Sequence, residues 1–273
     1  MTDEQQELVR CEQSGPVLAL TLDSPDNRNA LSSALVSRLR DGLRRAADDP
    51  HVRVVVLTHT GGTFCAGADL GEALRRGLDP EQATAESGAA MVELIKAVLE
   101  LEVPVVAVVD GHVRAGGLGL VAAADIVLAG ESASFALTEA RLGLAPSIIS
   151  VPLLAKISAR AAGRYFVTGE TFGAQTAERI GLITTAVTAE RLDAELAAVL
   201  AGIAKASPQG LAASKKLTTA ALLDGYDAAA QARAAESMAL FGSDEARAGM
   251  TAFLSKEPPP WAVEAPAVQV RRP

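Results

Sequence analysis

The chain has 273 residues, of which 49% are hydrophobic but only 3% aromatic, and its formal net charge is -8. This acidic balance argues against a nucleic-acid-binding surface, and the two cysteines, Cys11 and Cys65, are too few for a disulfide framework and suit a reducing cytoplasm. Met1 to Arg10 is polar and acidic, unlike a targeting peptide, and no window approaches ~20 uncharged apolar residues, so we expect a cytoplasmic protein without a membrane span.

Strand-like and helix-like patterns alternate along the first two thirds of the chain. Alternating polarity over Pro16 to Leu22 predicts a half-buried strand, and leucines at 31, 35, 39 and 43 predict a helix capped by Ser32 or Ser33. Further strands are predicted over 52–57, 103–109, 126–128, 135–138 and 183–187, and further helices over 91–99, 116–123, 151–162 and 174–180. This order predicts a largely parallel α/β core.

The composition changes at Ala189, after which Ala, Leu, Glu and Lys dominate as far as Ser255. We expect only helices there, with breaks at Ser207-Pro208, Asp224-Gly225 and Gly242-Ser243. The predicted organisation is therefore a core over residues 1–188, a helical subdomain over 189–256 and a flexible Pro-rich tail over 257–273.

A turn of small residues follows the strand predicted over 52–57. In Phe64-Cys65-Ala66-Gly67-Ala68-Asp69-Leu70, three small residues expose N–H groups, and Asp69-Leu70 resembles a helix start with an acid at the positive end of its dipole. Such a turn can hold an oxygen that becomes negative during a reaction. A tight strand-to-helix connection without a ligand is the ordinary alternative.

A second turn repeats this pattern in Asp110-Gly111-His112-Val113-Arg114-Ala115-Gly116-Gly117-Leu118-Gly119-Leu120. Here too a buried strand gives way to glycines at a helix N-terminus, where free N–H groups and the dipole favour negative charge. Two such turns are what a two-donor oxyanion hole requires.

Taken together, these motifs resemble the crotonase superfamily, the enoyl-CoA hydratase/isomerase family, over nearly the whole chain from Pro16 to Lys256. The motifs that carry the resemblance are Asn29-Ala30-Leu31, Phe64 to Leu70, Val108-Asp110-Gly111 with Gly116-Gly117, Ala124-Asp125-Ile126, Phe135 to Glu139, Leu142 to Pro146, Thr168-Gly169-Glu170 to Ala177 and Gly181-Leu182-Ile183. The resemblance implies a spiral of ββα repeats with C-terminal helices that build homotrimers, often paired into dimers of trimers.

The resemblance also implies roles for three groups. The N–H groups of Ala66 and Gly116 would bind the thioester oxygen of an acyl-CoA and stabilise its enolate. Glu139, at the family's second glutamate position, would move the proton. A carboxyl among apolar neighbours has a raised pKa, which suits acid–base work near neutrality, although a surface glutamate that pairs with Arg141 or caps a turn is the alternative.

The chain departs from the family at Gly119, where well-known hydratases carry their first glutamate. One carboxylate suffices for shifting a double bond, as the family's isomerases do. Hydration remains open because the N–H of Ser147, after Pro146, falls where the family holds a water. Gly119 is also expected to leave room for a bulkier or polar acyl group.

The resemblance implies an acyl-CoA partner and no cofactor beyond the CoA of the substrate. The residues expected to bind CoA or substrate are Arg28, Asn29, Ala30, Leu31, Gly67, Ala68, Asp69, Leu70, Arg114, Ser147, Phe253 and Lys256. For Arg114, a fold-holding role is the alternative to a substrate contact. Three scattered His and two Cys predict no metal site.

We therefore expect an enoyl-CoA hydratase, with an enoyl-CoA isomerase and an acyl-CoA-binding protein of little catalysis as the alternatives.

Overall fold

The computed structural model of the protein describes residues 7–77 and 79–264. Its strands are Val9–Ser14 (β1), Val17–Leu22 (β2), Val54–His59 (β3), Thr63–Cys65 (β4), Val105–Val109 (β5), His112–Arg114 (β6), Ile126–Gly130 (β7), Ser134–Ala136 (β8), Phe172–Gly173 (β9) and Thr185–Val187 (β10). They form a six-stranded sheet, in the order β1-β2-β3-β5-β7-β10, and a four-stranded sheet, in the order β4-β6-β8-β9. Only β1–β2 and β8–β9 are antiparallel pairs among these neighbours.

Helices connect the strands and form the C-terminal part. They are Ser33–Asp48 (α1), Glu72–Arg76 (α2), Pro80–Glu100 (α3), Gly116–Ala123 (α4), Ser147–Lys156 (α5), Ala159–Thr168 (α6), Ala174–Arg179 (α7), Ala189–Ala204 (α8), Pro208–Leu223 (α9), Tyr226–Phe241 (α10) and Asp244–Ser255 (α11). Two 3-10 helices occupy Pro25–Asn27 and Glu139–Leu142.

The chain repeats one ββα unit three times. In each unit a strand of the large sheet (β3, β5 or β7) leads into a short strand of the small sheet (β4, β6 or β8) and then into helix. Strands β3, β5 and β7 are largely apolar because both faces of the sheet are covered there; all five residues of β5 are buried. The predicted α/β spiral with C-terminal helices is confirmed.

Several predicted boundaries differ from the structure. Helix α1 begins at Ser33, so Leu31 lies outside it, and Ser32 is the cap because its hydroxyl accepts the Leu35 N–H at 3.2 Å. The helix predicted over 151–162 is wrong as a single element: α5 ends at Lys156 and Ser158 caps α6. Strands β1, β4, β6 and β9 were not predicted.

Several contacts fix the C-terminal helices to the core, and two of them lie on α9 and α11. Lys215 on α9 is only 5% exposed. Its ammonium lies 2.8 Å from Asp125 Oδ2 and donates to the carbonyls of Val98 and Val103 at 2.8 and 3.2 Å. Helix α11 packs on the 3-10 helix that starts at Glu139, and a Cβ on its Gly249 would lie 2.5 Å from the Leu142 carbonyl oxygen. The C-terminal helices therefore touch the segment that carries Glu139.

The chain beyond α11 is described only as far as residue 264, so the rest of the predicted tail lies outside the described residues. Across 7–77 and 79–264, no single helix is both long and apolar enough to cross a bilayer; α8 and α9, bent by 112° at their junction, meet that requirement only as a pair.

Candidate active site

Three loops meet at one edge of the small sheet. Strands β4, β6 and β8 run parallel, so the segments that follow them leave from the same edge. These segments are residues 66–70, 115–117 and 137–139, and they include both turns and the glutamate singled out from the sequence. The topology therefore brings the three predicted catalytic positions to one place.

The first turn presents a different N–H group from the one predicted. The N–H of Ala66 donates to the Arg28 carbonyl at 3.1 Å, and the N–H of Gly67 donates to Cys65 Sγ at 3.4 Å. The N–H of Ala68, an exposed residue, has no hydrogen-bond partner within the described part of the chain. The prediction of Ala66 as a donor is therefore wrong for this structure, and Ala68 carries the available N–H.

The second turn lies directly against the first. A Cβ on Gly67, whose φ is +93°, would lie 2.8 Å from Ala115 Cβ and 3.6 Å from the Gly116 nitrogen. Only glycine combines this φ with so close an approach. Ala115 itself has φ 44°, and Gly116 is the first residue of α4, so its N–H points out of the helix without a partner among the described residues. Two free N–H groups thus flank this contact.

Glu139 is buried at the same edge. Its side chain is 9% exposed, and Oε2 has no hydrogen-bond partner among the described residues. Burial raises the pKa of Glu139 to about 7, while a hydrogen bond from its own backbone works against that rise. The ion pair with Arg141 weighed above is not formed, since Arg141 Nε donates to the Thr168 carbonyl at 3.1 Å.

Ser147 offers a hydroxyl rather than the predicted N–H. Its N–H donates to the Ala145 carbonyl at 2.8 Å, so that group is not free for a water, and this prediction is wrong. The side chain is 6% exposed, and its Oγ has no partner among the described residues. A buried hydroxyl without a partner is rare in proteins and is usually satisfied by water or ligand.

No free space exists at Gly119, which corrects the expectation of room for a larger acyl group. A Cβ there would lie 2.7 Å from Ile149 Cγ2 and 3.0 Å from Met91 Cε. The side chains of α5 and α3 therefore occupy the volume where a glutamate at 119 would begin. Cys65 is likewise structural, because burial raises the pKa of its thiol to about 12.

The predicted CoA-binding loop contains one residue that is fully committed to the fold. Asn29 is 0% exposed; its Oδ1 accepts the Ser24 N–H at 2.7 Å, and its Nδ2 donates to the carbonyls of Thr60 and Thr63 at 3.1 and 2.7 Å. Its amide is therefore not available to CoA, and that assignment is wrong. Arg28 is exposed, whereas Ala30 and Leu31 are buried.

Asp69 and Leu70 precede a helix but do not begin it, because α2 starts at Glu72. The carboxylate of Asp69 instead accepts the Gly71 N–H at 3.1 Å and pairs with Arg75 at 2.5 Å. This holds the chain that leaves the first turn. Leu31 pairs with Ala68 in a parallel bridge, with its N–H on the Gly67 carbonyl at 2.8 Å.

Arg114 has the fold-holding role. Its guanidinium donates to the carbonyls of Val113 and Ser134 at 2.9 and 2.8 Å and to Ser134 Oγ at 3.0 Å. These bonds join β6 to β8, and burial lowers the pKa of Arg114 without removing its charge. The predicted substrate contact is therefore not supported.

Phe253 and Lys256 lie at the exposed end of α11, where Lys256 takes a left-handed conformation with φ 59°. Their contact with a neighbouring subunit's CoA stays a prediction.

The sequence reasoning missed Ala68 as the donor, the Ser147 hydroxyl, and the pair Met91 and Ile149. The Pro146-Ser147-Ile148-Ile149 run contained a usable signal, since a serine at a helix start between apolar residues needs a hydrogen-bond partner when it is buried.

Comparison with known proteins places this geometry in one family. The family model described as enoyl-CoA hydratase/isomerase matches residues 12–264. The chain is 33% identical to the 2,3-dehydroadipyl-CoA hydratase of Escherichia coli over 89% of this chain and 94% of that protein. It is 32% identical to the carnitinyl-CoA dehydratase of Salmonella arizonae, covering 93% and 98%. The crystal structure of an enoyl-CoA hydratase from Mycobacterium avium is 55% identical, with a TM-score of 0.87 and coverage of 94% and 100%. This chain therefore belongs to the enoyl-CoA hydratase/isomerase family of the crotonase superfamily.

Proposed function

We propose that the protein is an enoyl-CoA hydratase that adds water across the double bond of a 2-enoyl-CoA thioester. The observation that carries the proposal is the buried Glu139 carboxyl, whose pKa is about 7. This carboxyl lies at the same edge of the small sheet as the free N–H groups of Ala68 and Gly116. The relatives named as hydratase and dehydratase support the same choice.

The two N–H groups would accept the negative charge of the reaction. As the water oxygen bonds to the β-carbon, the π electrons move toward the thioester, whose oxygen becomes an enolate oxygen. Donors fixed in place before the reaction stabilise that charge, each by about 3 kcal/mol. Because both donors belong to the backbone of adjoining turns, they need no side-chain reorganisation.

One carboxyl can perform both proton transfers. The Glu139 carboxylate takes a proton from water while the C–O bond forms, and the resulting neutral carboxyl returns that proton to the α-carbon when the enolate collapses. A pKa near 7 keeps both forms accessible at neutral pH. Since the carboxylate starts the reaction, we expect the rate to rise with pH through about 7.

The substrate's CoA would lie along the loop that precedes the first turn. Exposed Arg28 and, from a neighbouring subunit, Lys256 would meet its phosphates. We further propose that the protein forms a homotrimer or a dimer of trimers. We place it in the reducing cytoplasm, where free cysteines such as Cys11 and Cys65 remain thiols. No cofactor beyond the CoA of the substrate is part of this proposal.

Isomerisation is the second candidate, and the filled space at Gly119 favours it. With Ile149 and Met91 against Gly119, no second carboxylate can act there. Glu139 alone could take the α-proton of a 3-enoyl-CoA and return it to the γ-carbon, which needs no water.

A substrate panel separates these functions. Crotonyl-CoA should lose its conjugated absorbance if the protein is a hydratase, whereas a 3-enoyl-CoA should gain conjugation if it is an isomerase. Binding of all thioesters without turnover would contradict both and favour an acyl-CoA-binding protein. Glu139→Gln should abolish turnover, and Glu131→Gln, which alters an exposed glutamate, serves as the matched control.

A further inference from the structure

Two buried polar atoms of the site lack a partner among the described residues: Glu139 Oε2 and Ser147 Oγ. The residues are 9% and 6% exposed. A buried hydroxyl usually has at least one hydrogen bond, because losing water without a replacement costs free energy. The carboxyl already has a role in the proposed reaction, and the hydroxyl has none.

Ser147 lies where two helix N-termini converge. It is the first residue of α5, and Ile149, two residues later, packs against Gly119 in the first turn of α4. Helix α4 begins at Gly116, one of the free N–H donors. The first turns of the two helices are therefore in contact, which brings Ser147 to the end of α4 that faces the site.

The same segment of chain joins Ser147 to Glu139. The Leu144 N–H donates to the Glu139 carbonyl at 3.0 Å and closes the turn between the 3-10 helix and α5. The Ser147 N–H donates to the Ala145 carbonyl just after that turn, so the hydroxyl is the polar group of Ser147 that has no partner among the described residues. Glu139 and Ser147 are thus the first residues of two successive helical elements, with only residues 143–146 between those elements.

We propose that the Ser147 hydroxyl positions the water that Glu139 activates, which rests on the hydration proposed above. A hydroxyl has two acceptor lone pairs and one donor, so it can accept the water proton that Glu139 does not take. It keeps its own proton throughout, and the water contributes its oxygen to the β-carbon and one proton to Glu139.

This assignment accounts for a site with one carboxylate. The volume beside Gly119 is apolar, so any second polar group that orients water must come from elsewhere. A neutral hydroxyl also adds no negative charge beside Glu139. Consistent with that, burial is the only effect that raises the pKa of Glu139.

Two reactions of the same protein separate positioning of water from support of Glu139. Hydration of crotonyl-CoA needs the attacking water. Exchange of the α-protons of butyryl-CoA in D2O, followed by NMR, needs Glu139 and the N–H donors but no attack by water. Ser147→Ala should lower hydration by roughly 10- to 100-fold, the effect of one lost hydrogen bond, and leave exchange unchanged.

The matched control is Ser150→Ala, one turn along α5, which removes a hydroxyl bound to the Ser147 carbonyl at 2.6 Å and should change neither rate. Glu139→Gln should stop both reactions. Equal losses of hydration and exchange in Ser147→Ala, or no loss of either, would overturn the role of Ser147 while the hydratase stands. A wild-type protein that exchanges protons but hydrates none of the probes would overturn the hydratase itself, and Ser147 as a water-positioning residue with it.

Discussion

Replacing Glu139 by glutamine tests whether this carboxyl is held at a cost to stability. Burial raises its pKa to about 7 from the usual 4.5. The unfolded chain restores the usual value, so the charged carboxylate opposes folding. This group's contribution to stability is therefore fully present below pH 4.5 and is lost as pH rises through about 7.

The size of the effect follows from the two pKa values. A pKa difference of one corresponds to about 1.4 kcal/mol, so the full penalty above pH 8 is about 3 kcal/mol, and about 1 kcal/mol is already present near pH 5. Glutamine has nearly the same shape and cannot ionise. Relative to wild type, Glu139→Gln should therefore gain about 2 kcal/mol of unfolding free energy between about pH 5 and pH 8.

The measurement is urea denaturation of both proteins at each pH, followed by circular dichroism. Protein concentration is held fixed, because any assembly of subunits also contributes to stability. Taking the difference between variant and wild type at each pH removes the titration of all other groups. A difference that stays the same at both pH values would refute the raised pKa, whatever happens to activity.

Three further substitutions test other parts of the structure. Ala68→Pro removes the free N–H of the first turn and should lower kcat/KM by roughly 100-fold, whereas Ala68→Gly, which keeps the N–H, should remain active; equal rates would exclude Ala68 as a donor. Lys215→Met leaves the partly buried Asp125 without its ion pair and should lower the unfolding free energy in urea by about 3 kcal/mol, with part of the loss recovered in a double variant that also carries Asp125→Asn. Gly249→Ala places a methyl group 2.5 Å from the Leu142 carbonyl oxygen and should lower Tm and activity together, whereas Gly202→Ala, in open space on α8, should lower neither; an unchanged Gly249→Ala protein would refute the close packing of α11.

The features that the sequence predicted well depend on contacts within short stretches of chain. Buried strands such as β3 and β5 consist largely of continuous apolar runs, which are visible in the sequence alone. Gly116 likewise marks the start of α4 without reference to distant parts of the chain. The α/β spiral and the position of Glu139 followed from such local patterns together with the family resemblance.

The errors concern groups whose partners are distant in sequence. The Arg28 carbonyl decides which N–H of the first turn is free, because it accepts the N–H of Ala66 and leaves the N–H of Ala68 without a partner among the described residues. No pattern within residues 64–70 contains that information. The assignment of Asn29 to CoA failed similarly, because its partners Thr60 and Thr63 lie on another strand and loop. Strands β4 and β6, of three residues each, lie beside the small-residue turns and were not predicted, whereas the equally short β8 was predicted because apolar residues surround it.

The contact between Gly119 and Ile149 limits which substitutions this fold can accept one at a time during evolution. A glutamate introduced at 119 alone would collide with Ile149, while a small residue at 149 alone would leave a cavity that costs about 2–5 kcal/mol. The two substitutions are tolerable only in combination, so either order of mutation passes through a damaged intermediate. Passage from a site with one carboxylate to a site with two is therefore epistatic, and this pair of residues acts as a barrier between them.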